Sequence, residues 1–407
     1  MLDLETKFLS SYVNQIRLEG LDFLEQLVEI DSQTQNIEGV NRVQKLLAAR
    51  LSHLGFECTF VPNLEMQTGD LLYAVKKGMS SDQISFIGHA DTVCSPGKEL
   101  RFEINFNSQT VTGPGIGDDK GSLVMALQSL EAFLTKNPEH HFTYVFISSP
   151  CEETGSIGFH PLFKEVGEKS VAVLGLEPAL YNGSLITSRN GNRWYKINII
   201  GKSSHAGRFG EPFINAAHHA AEFIYKLNPL NDIQNKVKVN VGSMTGGMDR
   251  YNVICESVEI KLDARFPTLE KREDIDQAIK SLIDNSSVNC FYTGDSCKTT
   301  IEIVDDCPPL PLQDQLHPLV GRYLNIISQL EETECLAEHS GGAADINYFS
   351  RPGLIYIDGL GPKTKGMHTS NEVMDLKSFY SRQYALTEVL EFLNKEPTFL
   401  TGAVYDC

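Results

Sequence analysis

The run Phe142–Ile147 is strand-like, and the residues that follow it, Ser148-Ser-Pro-Cys-Glu-Glu-Thr-Gly-Ser156, constrain this 407-residue chain more than any other stretch. Two adjacent carboxylates stand at the end of an apolar strand, before a glycine turn. Neighbouring strand side chains leave opposite faces. On that reading Glu153 binds a metal while Glu152 stays free as a general base. Two other apolar runs end in the same way. Ile84–Ile87 leads to Gly88-His89-Ala-Asp91-Thr-Val, and Val171–Leu176 leads to Glu177-Pro178. Parallel α/β sheets bind ligands beyond the carboxyl ends of their strands.

Helical patterns alternate with these runs, at residues 4–30 (stripe Leu18, Leu21, Leu24, Leu27 and Val28), 40–54 ending at Gly55, 119–134 and 376–394. The alternation predicts an α/β domain with a mostly parallel sheet and helices on both faces. Near Gly191 the pattern changes to strands and helices of a compact α+β unit, and Pro308-Pro-Leu-Pro311 marks a return. The expected organisation is a metal-binding catalytic domain of residues 1–190 and 306–407 with an inserted domain of residues 191–305. The length itself favours two cores.

Composition narrows the partners. A net charge of −18 argues against nucleic acid or anionic membranes. No stretch approaches the ~20 apolar residues of a membrane span, and acids occupy the N-terminal residues where a signal peptide is basic. The nine cysteines are scattered and include no C-x-x-C pair, which fits free thiols in a reducing cytoplasm. Cys94 and Cys151 read as small apolar fillers, with Cys151 a point of sensitivity to oxidation.

Zinc-type ions prefer nitrogen and carboxylate oxygen. The candidate ligands are His89, Asp118, Glu153, Glu177 and His368. If Asp118 bridges two ions, each takes one histidine and one glutamate. Without ions, three carboxylates in one cleft would repel. Asp91, two residues from His89, is placed to take the other imidazole N–H. Asp118 and Asp119 precede a helix, whose N-terminus favours anions. Each piece alone has a plainer reading. H-x-D is usually a loop histidine near an acid, Glu-Glu a solvated pair, and Glu177 and His368 ordinary charges. Gly113-Pro-Gly-Ile-Gly could pass for a nucleotide loop, but two aspartates follow where a pyrophosphate needs positive surroundings.

Together, Gly88-His-Ala-Asp91-Thr-Val, Gly113 to Gly121, Glu152-Glu-Thr-Gly-Ser, Leu176-Glu-Pro178, Ser204-His205-Ala-Gly and Gly359-Leu-Gly-Pro…His368-Thr resemble the co-catalytic zinc metallopeptidases. That family includes glutamate carboxypeptidase, acetylornithine deacetylase, succinyl-diaminopimelate desuccinylase and aminoacylase. The resemblance implies two zinc ions (cobalt or manganese being chemically acceptable), Asp118 as bridge, a cis Asp118–Asp119 peptide, Glu152 as base and Asp91 as orienter. It implies a ferredoxin-like inserted lid that carries a homodimer contact. His205 of that lid would stabilise an oxyanion in the partner subunit, while Asn252, Arg265 and Gly342 would hold substrate. For Arg265 a strand-end ion pair is an equal alternative. The implied reaction is hydrolysis of an amide bond in a small peptide or N-acyl amino acid. Glutamate at position 177 favours the carboxypeptidase and deacylase branches over aminopeptidases and dipeptidases. His339 and the Pro362–Met367 wording depart from the usual loops. A non-catalytic peptide-binding relative is the reading from another class.

Overall fold

In the computed structural model the described residues are 11–97, 100–313 and 316–401, with side chains from Glu19 onward. They form two compact units. One takes the chain up to Thr187, Leu312–His339 and the residues from Ala344 on; the other takes Ser188–Pro311 and Ser340–Ala343.

The first unit is built on a six-stranded sheet in the order Glu57–Val61, Leu71–Lys76, Thr143–Ser149, Gln83–His89, Ser170–Gly175, Ile355–Ile357. The last four strands are mutually parallel, while the first two pair antiparallel. Thr143–Ser149 is buried throughout, and so is Gln83–His89 beyond its first residue, so both faces of the sheet are covered. The helix Lys120–Lys136 is buried along most of its length. Ser11–Val28 is helical and buries Leu21, Leu24, Leu27 and Val28. The expected helix start at residues 4–10 and the Leu18 side chain lie outside the described residues. Ile37–His53 and Leu376–Lys395 match the expected second and last helices. The helices His160–Lys169 and Pro318–Glu331 add to the elements read from sequence, each with a proline in its first turn, where a missing N–H costs nothing.

A smaller sheet in the same unit gathers the site. Its order is Glu103–Asn105, Thr110–Thr112, Val373–Asp375, Gly361–Lys365, Pro178–Ala179. Gly361 pairs with Pro178, next to Glu177. Lys365 pairs with Val373, so His368 sits in the connecting hairpin loop. Val373 also pairs with Thr112, one residue before the glycine-rich loop that leads to Asp118.

The second unit runs βαββαβ: Gly191–Ile200, Ala216–Leu227, Lys238–Gly246, Ser257–Phe266, Leu269–Asp284, Lys298–Cys307. The strands form one antiparallel sheet, and this is ferredoxin-like connectivity. Alternate residues Val258, Ile260, Leu262, Ala264 and Phe266 are buried with Ala220, Phe223 and Leu227 of one helix and Ile275 and Ile279 of the other. Asn215 and Thr268 cap those helices through their side chains. Among the described residues no helix is long and apolar enough to cross a membrane, and no disulfide joins the described cysteines.

Candidate metal centre

The strand Gln83–His89 ends on His89, beside Ser149 of its parallel neighbour. Beyond Ser149, Pro150 has no N–H to offer the ladder. The chain then makes a single 3₁₀ turn, Glu152–Thr154, closed by Gly155 at φ +92°, a left-handed conformation that glycine adopts without penalty. This corrects the strand-alternation argument. The two glutamates diverge because a 3₁₀ turn rotates about 120° per residue.

Asp91 holds that turn. It is fully buried. Its Oδ1 accepts the Glu152 N–H (3.1 Å) and its Oδ2 accepts the Glu153 N–H (3.3 Å) and the Thr34 hydroxyl (2.7 Å). The same carboxylate lies 3.3 Å from His89 Nδ1, which also meets the Asp91 carbonyl at 3.0 Å. Asp91 thus holds the imidazole and the Glu152–Glu153 turn together.

Asp118 occupies the centre. Its Oδ1 is 3.1 Å from His89 Nε2 and its Oδ2 is 3.1 Å from His368 Nε2. Glu177 Oε1 lies 3.9 Å from His89 Nε2, and Glu153 Oε2 lies 3.2 Å from His368 Nε2. Each oxygen of one carboxylate therefore faces a different histidine, and each histidine also lies near a glutamate. Ligand atoms around a tetrahedral ion with bonds of about 2.0–2.1 Å stand roughly 3.4 Å apart, and the four separations bracket that value. Donor atoms of His89, Asp118 and Glu153 all lie within 4.8 Å of one another, as do those of His89, Glu152 and Glu177. The second grouping brings Glu152 beside His89 and Glu177. Glu153 Oε1 is buried without a hydrogen-bond partner, an orphan that a cation would satisfy. The donor set and its spacing fit metal binding. The Asp118–Asp119 peptide is cis, as the resemblance implies.

The electrostatics agree with that fit. Burial pulls His89 down, but hydrogen bonds to Asp118 and Asp91 hold it well above its usual value. His368 is pushed up to about 10 by Asp118 and then by Glu153. Burial and the charge of Glu177 raise Glu152 strongly, and burial raises Glu153. Burial opposes ionisation of Asp118, yet its two histidines keep it below the usual carboxylate range. The raised histidines show how strongly the neighbouring carboxylates favour positive charge at this point.

Several supporting residues escape the sequence reading. Thr34 bonds Asp91 from 57 residues away. Glu372 accepts the N–H groups of Gly115 (2.8 Å), Gly117 (3.1 Å) and Asp118 (3.2 Å). Asp345, pushed up to about 7 mainly by burial, accepts the Ser156 hydroxyl just past the Glu152–Glu153 turn. Lys120 is fully buried and bonds the Ile30 carbonyl; burial lowers it to about 7. Only the Asn371-Glu372 segment so close to His368 could have hinted at any of these. Cys151 is buried and its thiol is pushed far up by burial, which argues against the expected sensitivity to oxidation.

The four remaining candidates belong to the second unit. His205 is exposed; its Nδ1 accepts the Gly207 N–H (3.0 Å) and its Nε2 lies 3.2 Å from Asn252 Nδ2. Arg265 Nε donates to Asp263 at 2.9 Å, the ion pair weighed above. The Gly342 N–H donates to Ser340 Oγ (3.2 Å) and its carbonyl accepts from Arg189 (3.0 Å).

Residues 85–391, which include every candidate ligand, match the model for peptidase family M20/M25/M40. The chain is 26% identical to carboxypeptidase G2 of Pseudomonas sp. over 90% of this chain and 87% of that protein. It is 23% identical to succinyl-diaminopimelate desuccinylase of Psychrobacter arcticus, over 92% and 94% of the two chains. The crystal structure of aminopeptidase PepT from Bacillus cereus superimposes with a TM-score of 0.75 at 23% identity, covering 92% of this chain and 99% of that one. The chain belongs to peptidase family M20/M25/M40, and is a metal-dependent amidohydrolase.

Proposed function

We propose that this chain is a two-metal hydrolase that cleaves an amide bond next to an amino acid, in the manner of a glutamate carboxypeptidase. The observation that carries the reading is the Asp118 carboxylate, each oxygen 3.1 Å from a different histidine. His89, Asp118 and Glu177 would hold one ion, and Asp118, Glu153 and His368 the other. Zinc suits the set best, while cobalt and manganese accept the same donors. When bound, such a pair supplies Lewis-acid polarisation and an acidified water.

The rest is done by the chain's own groups. Glu152 takes the proton of the attacking water and returns it to the leaving amine. Asp91 keeps His89 in the tautomer that presents Nε2. The second unit acts as a lid and dimer contact, and His205 of the partner subunit donates to the oxyanion. The Asn252 side chain beside His205 supports the ring's orientation. With Nε committed to Asp263, the terminal nitrogens of Arg265 take the substrate carboxylate, and Gly342 helps to hold the substrate. The lack of disulfides among the described cysteines favours a reducing cytoplasm.

The test is a substrate panel on metal-reloaded protein: N-acyl amino acids, dipeptides with free C-termini, and the same compounds amidated. Hydrolysis that requires a free α-carboxylate is expected. Cleavage that tolerates amidation but demands a free N-terminus would make it an aminopeptidase. The match to a desuccinylase favours a deacylase as second reading, and faster turnover of N-acyl amino acids than of peptides would establish it.

A further inference from the structure

We infer that Glu372 is a positioning residue that clamps the His368 segment onto the loop bearing Asp118, and so sets the affinity of one metal position more than the other. The inference rests on the two-metal reading above.

Glu372 is almost fully buried. Its carboxylate accepts three N–H groups from one short stretch, Gly115, Gly117 and Asp118, at 2.8–3.2 Å. A stretch of backbone N–H groups turned to a common point forms an anion cradle, and here a side chain from the same chain fills it. Glu372 lies four residues after His368, at the end of the same hairpin loop, and Val373 pairs with Thr112 at the start of the Asp118 loop. The carboxylate therefore fastens His368 to the backbone that carries Asp118 Oδ2, its neighbour at 3.1 Å.

The opposite end of Asp118 has a different fastening. Asp119 Oδ2 accepts the backbone N–H of His89 at 3.0 Å, and Asp91 holds the His89 ring. Neither fastening includes a bond to Glu372. Loosening Glu372 should then free His368 to drift from Asp118, while His89, Glu177 and the Asp91-held Glu153 keep their places.

The experiment titrates zinc into the full-length apo protein by chelator competition, comparing wild type, Glu372→Gln and Glu372→Asp. The glutamine keeps one acceptor oxygen, and the aspartate keeps the charge but is one carbon shorter. Wild type should take two zinc ions per chain. Glu372→Gln should bind its first ion as wild type does and its second roughly 10–100-fold more weakly, with activity returning at higher free metal. Glu372→Asp should fall between. Equal weakening of both ions, no change in either, or unfolding of both variants would overturn the clamp. A wild type that takes fewer than two ions would overturn the two-metal reading and the clamp with it; two ions in wild type with Glu372→Gln unaffected would overturn the clamp alone.

Discussion

Replacing Thr34 by valine separates positioning from bulk. Valine keeps the threonine's shape and exchanges one hydroxyl for a methyl. The hydroxyl donates to Asp91 Oδ2 at 2.7 Å, with Thr34 nearly buried and Asp91 fully so. A hydrogen bond to a charged acceptor contributes about 1.5–3 kcal/mol. Asp91 retains the two turn N–H groups and the His89 ring, so its fold context survives. What weakens is the hold on His89 and on the Glu152–Glu153 turn. If that energy passes into metal binding, the loss is roughly 10- to 150-fold at about 1.4 kcal/mol per tenfold, the range seen when outer partners of a metal ligand are removed. The assay is chelator competition on zinc-loaded protein, with kcat/KM measured at limiting and at saturating metal. Thr34→Val should lose metal affinity and recover much of its rate at saturation, and Thr34→Ser should resemble wild type. Equal behaviour of Thr34→Val and wild type, or equal damage in Thr34→Ser, would refute the reasoning.

Two further outcomes follow from the same geometry. Glu152→Gln should retain both ions and lose about 10²–10⁴-fold or more in kcat, and substantial turnover by a metal-loaded sample would remove its role as base. Metal loading should release protons, because His89 and His368 are raised in the ion-free protein, His368 to about 10. Groups whose pKa is raised must lose a proton to bind, so affinity should rise as pH climbs from 6 to 9. Calorimetry in buffers of differing ionisation heat counts those protons, and a count of zero would contradict the assignment of histidines.

Much of the architecture is legible in local pattern. The burial of the central strands follows from their apolar runs, and Pro308–Pro311 falls where the second unit's long segment ends. The residues brought together around Asp118 could be named because each is chemically conspicuous and stands beside glycine or an apolar run. The route by which they meet is less visible. Of the five candidate ligands only His89 lies on a strand of the main sheet; Glu153 is in a 3₁₀ turn, and His368 takes a left-handed φ of +61° in a hairpin loop. Their convergence depends on the small sheet that pairs Pro178 with Gly361 and Thr112 with Val373, strands too short to announce themselves by periodicity. Thr34, Asp345 and Glu372 are ordinary polar residues until the fold places them 57, 189 and 254 or more positions away, against the groups they hold. Side chains that act through another residue carry no local signature.

The central claim is that Asp118 is shared by two cations. Anomalous diffraction at the zinc edge from crystals of the reloaded protein tests it most directly. Two peaks about 3.5–4 Å apart, one between His89 and Glu177 and the other between His368 and Glu153, with Asp118 touching both, are expected. No peak inside this cluster, or a single peak that Asp118 does not touch, would contradict it.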